Sequence, residues 1–364
     1  MHMVLTEAAK ADWYAHPNPM VGAVIVKDDV MLGCGYHHGA GNPHAEVEAL
    51  QDAQRRGFDV KDATIYVTLE PCNHFGRTPP CTEALIRAGI RRAVIGSVDT
   101  DVRVRGAGIQ RLQEAGIECV VGCLETELKA LNAAFFKRTS TGLPFVTAKW
   151  AMSLDGHIAT YTHHARWVTG PEAREDVHRA RERHDAIMVG TQTVMDDDPQ
   201  LNVRLPGEHR QPLRVILDRT RRIPLTAHVF DTTQQRTVLF TSQTDVRANA
   251  PDIADYQKLG VRVEFVPTDN GALDLKAILH TLVSQYEVTT LYAEGGATLH
   301  GALFDRQLVD AVDVYIAPKV IGGANAPAAV TGHGIEYMDM ARCFDFESPK
   351  IFGNDIRLRG RRSN

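Results

Sequence analysis

Thr64-Ile-Tyr-Val-Thr-Leu-Glu-Pro-Cys-Asn-His-Phe-Gly-Arg-Thr-Pro-Pro-Cys-Thr-Glu-Ala-Leu-Ile-Arg-Ala-Gly89 reads as a strand, a polar loop and a helix in succession. Its first six residues are rich in β-branched and aromatic types, which suit a pleated, half-buried surface. Residues 80–88 read as a helix, and Gly89 stands just past their end, where a left-handed residue closes a helix. Upstream, Val21-Gly-Ala-Val-Ile-Val26 and Val30-Met-Leu-Gly-Cys-Gly35 flank Asp28-Asp29 as a hairpin. Residues 44–56 set Val47, Leu50 and Ala53 on one helical side. Downstream, Ala93-Val-Ile-Gly96 predicts a short buried strand, residues 109–115 a helix closed by Gly116, and Cys119-Val-Val121 another strand. A hairpin followed by βαβ units predicts a mixed sheet between helices.

Residues 125–137 read as a further helix, and the polar run Arg138-Thr-Ser-Thr-Gly-Leu-Pro144 predicts a domain boundary, dividing the chain into residues 1–143 and 144–364. The second part restarts the α/β pattern. Residues 145–150 predict a strand, and Thr169-Gly-Pro-Glu172 a helix start with Thr169 as the cap. Further strand candidates are Asp185-Ala-Ile-Met-Val-Gly190, Leu213-Arg-Val-Ile-Leu217, Val238-Leu-Phe-Thr241, Val261-Arg-Val-Glu-Phe-Val266, Thr290-Leu-Tyr-Ala293 and Val312-Asp-Val-Tyr-Ile316.

Composition narrows the class. With 44% hydrophobic and 23% charged residues, the 364-residue chain is that of a globular enzyme. Lys plus Arg number 40 against 45 Asp plus Glu, a net charge of −5, which argues against non-specific nucleic-acid binding. No apolar run approaches the roughly 20 residues of a membrane span. The first ten residues lack the layout of a secretory signal. Six cysteines in a chain of this length are no disulfide framework, so a reduced, cytoplasmic protein is expected.

His44-Ala45-Glu46, Pro71-Cys72 and Cys81 carry the chemistry. Zinc-dependent nucleobase deaminases use one His and two Cys ligands, with a non-ligand Glu two residues after the His. Three protein ligands leave a fourth position open for water, whose pKa zinc brings down to about 7. Glu46 then suits proton transfer from the water to a ring nitrogen and on to the leaving amine. Cys72 follows a strand and faces a helix start, which favours a thiolate. The usual second half of the motif is Pro-Cys-x-x-Cys, whereas here eight residues separate Cys72 from Cys81. Spacing alone therefore leaves two readings: a catalytic zinc, or a helix-capping His44 with two buried apolar cysteines. Cys119 and Cys123 are read as structural, because one lies in a strand and the other follows Gly122.

Pro71-Cys-Asn-His-Phe-Gly-Arg-Thr-Pro-Pro-Cys81, His16-Pro-Asn-Pro-Met-Val-Gly-Ala-Val-Ile-Val26 and Gly35-Tyr-His-His-Gly-Ala-Gly-Asn-Pro-His-Ala-Glu46 resemble the signature of the bifunctional riboflavin-biosynthesis deaminase/reductase family. The resemblance spans nearly the whole chain. It implies a cytidine-deaminase-like three-layer α/β/α first domain, with zinc on His44, Cys72 and Cys81 and Glu46 catalytic. Asn18, His37, His74 and Arg77 are implied to contact a phosphoribosylamino diaminopyrimidinone. Read without the family, Asn18 is a turn residue between two prolines and the two histidines are surface groups.

Lys149-Trp-Ala-Met-Ser-Leu-Asp-Gly156, Trp167-Val-Thr-Gly-Pro-Glu-Ala-Arg174, Thr193-Val-Met-Asp-Asp-Asp-Pro199 and Tyr292-Ala-Glu-Gly-Gly-Ala297 are similar to the reductase domain of the same family, which implies a dihydrofolate-reductase-like α/β fold. No Gly-x-Gly-x-x-Gly follows a strand, so a Rossmann cofactor site has no support. Gly295-Gly296 instead ends a strand and opens a helix, where small residues admit a phosphate, although such a pair also serves as a plain turn. The resemblance implies NADPH contacts at Ala151, Trp167, Thr193, Asp197, Gly295 and Gly296. It implies substrate contacts at Lys149, Ala165, Arg181, Leu201, Arg204 and Glu294. Arg181 and Arg204 suit a ribose phosphate, since guanidinium matches phosphate geometry; otherwise they are solvated charges. Asp196-Asp-Asp198 is expected to be a loop. The chain departs from the family at Ala165, where Ser is common, at His157, where Lys or Arg is common, and at Asn202, where Thr is common. The expected partners are phosphorylated pyrimidines and copies of the chain itself, with no nucleic acid and no membrane. The alternatives are a zinc deaminase acting on nucleic acid, or a deaminase with an impaired reductase half.

Overall fold

The computed structural model describes residues 1–75, 79–100 and 105–363, and of Trp13 only the backbone. The chain forms two compact units, Met1–Gly142 and Leu143–Asn364.

In the first unit α1 (His2–Ala9) precedes the hairpin β1 (Gly22–Lys27) and β2 (Val30–Tyr36). There follow α2 (Ala45–Arg55), β3 (Thr64–Leu69), α3 (Cys81–Arg87), β4 (Arg92–Ser97), α4 (Ala107–Glu114), β5 (Glu118–Val121), α5 (Glu125–Leu131) and α6 (Ala133–Thr141). The sheet order is β2-β1-β3-β4-β5, antiparallel at the hairpin and at β1–β3, parallel beyond. Alternate residues of a strand face opposite sides. Ala23, Ile25, Ile65, Val67, Ala93 and Ile95 turn to one face and pack with Ala49, Ala53, Leu85 and Leu112 of α2, α3 and α4. Gly22 and Gly96 turn to the other, where α1 and Leu128 of α5 sit so close that a Cβ would lie 2.5 and 2.0 Å from them. The unit is thus three-layered. Close approach of α2 to β2 likewise depends on Gly33 and Gly35, where a Cβ would meet α2 at 2.3 and 2.4 Å.

The second unit runs β6 (Phe145–Ser153), α7 (Pro171–Glu182), β7 (Ala186–Gly190), α8 (Thr191–Asp197), β8 (Leu213–Leu217), β9 (Thr237–Thr241), α9 (Ile253–Lys258) and β10 (Arg262–Phe265). A small hairpin, β11 (Thr268–Asp269) with β12 (Ala272–Leu273), leads to α10 (Leu275–Tyr286), β13 (Thr290–Ala293), α11 (Ala297–Asp305) and β14 (Ala311–Ala317). Three strands, β15 (Phe344–Phe346), β16 (Lys350–Phe352) and β17 (Asp355–Arg362), end it. The main sheet is ordered β10-β9-β8-β7-β13-β6-β14-β17-β15, parallel from β10 to β14, with β16 paired to β17. Both faces are covered, as a parallel sheet requires. Ile278, Leu279 and Leu282 of α10 and Leu299 and Leu303 of α11 bury one face, and Ala173, Val177 and Ala180 of α7 with Tyr256 of α9 the other. No helix among the described residues is long and apolar enough to cross a membrane.

Three local expectations are corrected. The helix expected over residues 125–137 breaks at Asn132, and its second half runs through the expected boundary polar stretch to Thr141, closed by Gly142 at φ +69°. The break has a cause: the Asn132 side chain turns away to bond both the N–H (2.8 Å) and the carbonyl (2.9 Å) of Met20. The cap of α7 is Gly170, not Thr169; Pro171 opens the helix, and the Gly170 N–H donates to Asp355 at 2.6 Å. Asp196 and Asp197 end the helix α8 and are not in a loop; only Asp198, left-handed at φ +40°, leaves it.

Candidate active sites

In the first unit the connections after β2 and β3 bring four residues together. His44 is the N-cap of α2, Glu46 lies in that helix's first turn, Cys72 follows β3 and Cys81 is the first residue of α3. His44 Nδ1 is 3.5 Å from Cys72 Sγ and 3.2 Å from Cys81 Sγ, and the three donor atoms lie within 4.8 Å of one another. A tetrahedral zinc with Zn–N of about 2.0 Å and Zn–S of about 2.3 Å sets such donors about 3.5 Å apart, so the set fits the ion. The Cys81 N–H donates to Cys72 Sγ at 3.4 Å. Cys72 is held down and Cys81 pushed up, each chiefly by the other thiol, so Cys72 yields its proton first. Glu46 is buried at 3% exposure; burial, then the neighbouring Cys72, pushes its carboxyl up to about 7, against the pull of His44.

Asn18 and His37 stand beside this group. The Asn18 amide meets His37 Nε2 at 3.0 Å, and His37 Nδ1–H donates to the Pro43 carbonyl at 3.2 Å, a pair of partners that fixes the tautomer. Burial lowers the His37 pKa, and its ring meets the His44 ring edge-on at 5.3 Å. His74 is exposed on the loop between the cysteines, and Arg77 lies outside the described residues.

Two supporting residues escape sequence reasoning. Glu70, immediately before Pro71-Cys72, is buried and accepts N–H bonds from Asp99 (3.2 Å), Gly106 (3.0 Å), Gly108 (2.9 Å) and Ile109 (3.3 Å). It ties the ligand-bearing loop to the start of α4. A carboxylate one residue from a Pro-Cys is the only local signal. Asn132 secures the segment after Asn18 through Met20, and nothing in the sequence marks it.

The second unit holds a cavity of ≈ 620 Å³ along the C-terminal ends of β6, β13, β7 and β8. Lys149, Ala151, Ala165, Thr193, Asp197, Glu294, Gly295 and Gly296 all line it. The Gly296 N–H, at the start of α11, donates to Thr193 Oγ1 at 3.1 Å. At Gly295 a Cβ would meet Leu299 at 2.5 Å, so the turn requires glycine. Four residues assigned by resemblance stand apart from this lining. Trp167 is 61% exposed, with Arg174 4.5 Å over its ring. Leu201 is buried, left-handed at φ +54°. Arg204 bonds the side chains of Gln200 (3.4 Å) and Asn202 (2.5 Å).

Arg181, the fourth, is committed to a buried fork: Nε to Glu294 Oε1 at 2.6 Å, Nη2 to Oε2 at 3.0 Å, and Nη1 to the Asn202 carbonyl at 3.0 Å. Lys149 Nζ approaches Glu294 Oε2 at 3.6 Å. Burial alone would push the Glu294 carboxyl up; Arg181 and Lys149 outweigh it and hold it down at about 2. Asn202 also accepts from His178 through its carbonyl at 3.1 Å. Its bonds to Arg181 and His178 thus use the backbone, which any residue supplies.

Residues 1–97 match the cytidine and deoxycytidylate deaminase zinc-binding region, and residues 144–356 match the RibD C-terminal domain. The riboflavin biosynthesis protein RibD of Escherichia coli K12 is 39% identical over 98% of this chain and 97% of its own. That of Actinobacillus pleuropneumoniae is 39% identical over 98% and 93%. The chain belongs to the RibD family. Among solved structures, Acinetobacter baumannii RibD superposes with a TM-score of 0.86 at 38% identity, covering 100% of this chain and 98% of that one. The Thermotoga maritima diaminohydroxyphosphoribosylaminopyrimidine deaminase/5-amino-6-(5-phosphoribosylamino)uracil reductase does so at 0.85 and 32% identity, covering 100% and 97%. This RibD chain is a bifunctional deaminase and reductase of riboflavin biosynthesis, with zinc serving the first half and NADPH the second. The expected fold of each half is borne out.

Proposed function

We propose that the first unit deaminates 2,5-diamino-6-(5-phosphoribosylamino)pyrimidin-4-one and that the second reduces the ribosyl group of the product, giving 5-amino-6-(5-phosphoribitylamino)uracil. The convergence of His44, Cys72 and Cys81 beside the buried Glu46 carries this reading. When bound, zinc supplies an activated water at neutral pH. His44, Cys72 and Cys81 hold the metal. The Glu46 carboxylate takes a proton from the attacking water, returns it to a ring nitrogen, and assists departure of ammonia. Asn18, with His74 and, by resemblance, Arg77, holds the pyrimidine and its phosphate; His37 fixes the Asn18 amide.

In the second unit NADPH supplies a hydride. The chain's residues align it with C1′ of the opened sugar, the main task of a protein around such a cofactor. The Gly295–Gly296 turn and Thr193 take the cofactor's phosphates, and Lys149 and Glu294 form the substrate end of the cavity. Arg204 holds the ribose phosphate. Arg204→Ala is expected to raise the reductase KM by about tenfold with kcat little changed; an unaltered KM would move the phosphate site elsewhere.

Cys72→Ser is expected to lower zinc content well below one per chain, measured by atomic emission on the purified protein; retention of full zinc would remove Cys72 from the ligand set. Six free cysteines support a reduced, cytoplasmic setting, and the net charge of −5 supports small-molecule substrates over nucleic acid. A homo-oligomer is the expected assembly. The test of the whole reading is incubation with the diaminopyrimidinone phosphoriboside and NADPH, followed by mass spectrometry. Exchange of an amine for a carbonyl oxygen, then gain of two hydrogens, is the expected sequence. Deamination without reduction would leave only the first half of the reading standing, and no change with zinc verified would overturn both.

A further inference from the structure

We propose that another cavity of the second unit, at the opposite end of its sheet from the reductase cavity, binds a phosphate monoester between Arg236 and Arg262. This cavity measures ≈ 380 Å³. It lies at the N-terminal ends of β8, β9 and β10, marked by Leu213, Arg236 and Arg262, beside Gln285 and Tyr286 at the end of α10. The reductase cavity lies along the C-terminal ends of the same sheet, and the two share no lining residue. The site is thus separate from those assigned to cofactor and substrate.

Strand register brings the two guanidiniums together. Arg262 pairs with Val238 of β9, and Glu264 with Phe240. Val238 and Phe240 share a core with Ile278, Leu279 and Leu282 of α10. Partners in a parallel pair point to the same face, so Arg262 and Glu264 also face α10. Arg236 stands two residues before Val238, and its carbonyl accepts from the Arg214 N–H at 3.0 Å, which carries the ladder one residue beyond β9. Alternation turns Arg236 to the α10 face as well. One strand step of about 4.8 Å and two residues of about 6.6 Å set the two Cα atoms about 8 Å apart, a gap that long side chains close.

The pair is not spent on the protein itself. Among the described residues neither guanidinium has an ion-pair or hydrogen-bond partner. Basic side chains at a helix C-terminus can bond its last carbonyls, and neither arginine does so at α10. Glu264 is the one acid among the described lining residues, and the Tyr286 hydroxyl donates to it at 2.6 Å. Burial and Glu264 push the Tyr286 hydroxyl up, while Arg262 and Arg236 both pull against them, so both cations act on the same wall. Two guanidiniums thus face one engaged carboxylate. A phosphate monoester brings nearly two negative charges and three acceptor oxygens at neutral pH. Guanidinium forks match those oxygens. Leu213, the Tyr286 ring and the Gln285 amide remain for the organic part of the ligand. A cavity above about 300 Å³ has room for that part as well as for the phosphate. The proposed substrate and product of the enzyme belong to this chemical class.

The test is phenylglyoxal modification of the full-length, zinc-loaded enzyme, followed residue by residue by peptide mass spectrometry. At saturating ribose 5-phosphate, Arg236 and Arg262 are both expected to react about tenfold more slowly, and ribose alone is expected to leave them unchanged. Protection of fewer than both would overturn the inference, as would equal protection by succinate, a carboxylate dianion. Arg204 is the internal reference: protection confined to it would sink the new site and leave the proposed substrate site standing. Arg236→Gln/Arg262→Gln supplies a second measure. Calorimetry with ribose 5-phosphate should show one binding event per chain fewer than the parent, with reductase kcat and KM within about twofold. An isotherm equal to the parent's would remove the phosphate from this cavity.

Discussion

Glu46→Gln is expected to retain the zinc content of the parent protein and to lose deaminase turnover by about 10²–10⁴-fold, the span of a general acid–base group. The replacement keeps the shape of a side chain that is 3% exposed, so the packing of α2 is preserved. It removes a carboxyl beside the His44, Cys72 and Cys81 donors that can accept and return a proton near neutral pH. The donors themselves are untouched, which separates this variant from Cys72→Ser. Two readouts decide it: zinc per chain by atomic emission, and ammonia released from the diaminopyrimidinone. Supplying already deaminated substrate should show reductase rates equal to those of the parent, because the reductase residues lie in the other compact unit. Turnover near that of the parent would end the assignment of Glu46.

The cysteine half of the zinc group was legible because it is local, while His44, 28 residues before Cys72, was joined to it by the ligand pattern of zinc deaminases. A strand ending at Leu69, a Pro-Cys after it and a cysteine opening the next helix are visible in eighteen consecutive residues, 64–81. The eight-residue gap looked irregular by spacing, yet Cys81 Sγ lies 3.2 Å from His44 Nδ1. Strands β1 to β10, β13 and β14 were legible for the same reason, since hydrophobic periodicity is a property of short windows, whereas β11, β12 and β15 to β17 were not read. What failed was settled by distant partners. Helix α7 takes its cap from Gly170, whose N–H is claimed by Asp355, 185 residues away. The break at Asn132 is made by Met20, 112 residues away. Glu70 draws its four donors from a segment 29 to 39 residues on. No window contains both members of such pairs.

The same distance hides a pairing in the reductase half. Resemblance placed Arg181 and Glu294 together as substrate contacts, but their 113-residue separation concealed that they bind each other. Ala165 sits in the cavity wall with a methyl, so it offers no side-chain polar contact there while the rest of the wall stands. His157 pairs with Ala328 as an isolated bridge and lies 3.8 Å from Asp155, a role in holding the loop after β6 in place. These departures leave the ion pair behind the cavity intact.

That pair yields the other large effect. Glu294→Gln is expected to destabilise the second unit by about 3–5 kcal/mol at neutral pH, because Arg181 would remain buried without its countercharge. The Arg181 and Glu294 side chains are 12% and 6% exposed, so water is a poor replacement for the lost partner. The pH dependence gives the argument its sign. The folded carboxyl is held at about 2, below the ordinary 4.5. Its contribution is therefore fully present above about 4.5 and is lost as the pH falls toward 2. The parent protein should lose stability across that window, and the variant, with no carboxyl there, should not follow it. Urea unfolding of both proteins at pH 7, 4.5 and 3 measures the gap between them. A gap that is wide at pH 7 and narrows by pH 3 is the expected result. A gap of constant size would mean that Glu294 acts through shape alone, and no gap at pH 7 would mean that Arg181 finds another partner. In either case the substrate end of the cavity would have to be held by something other than this ion pair.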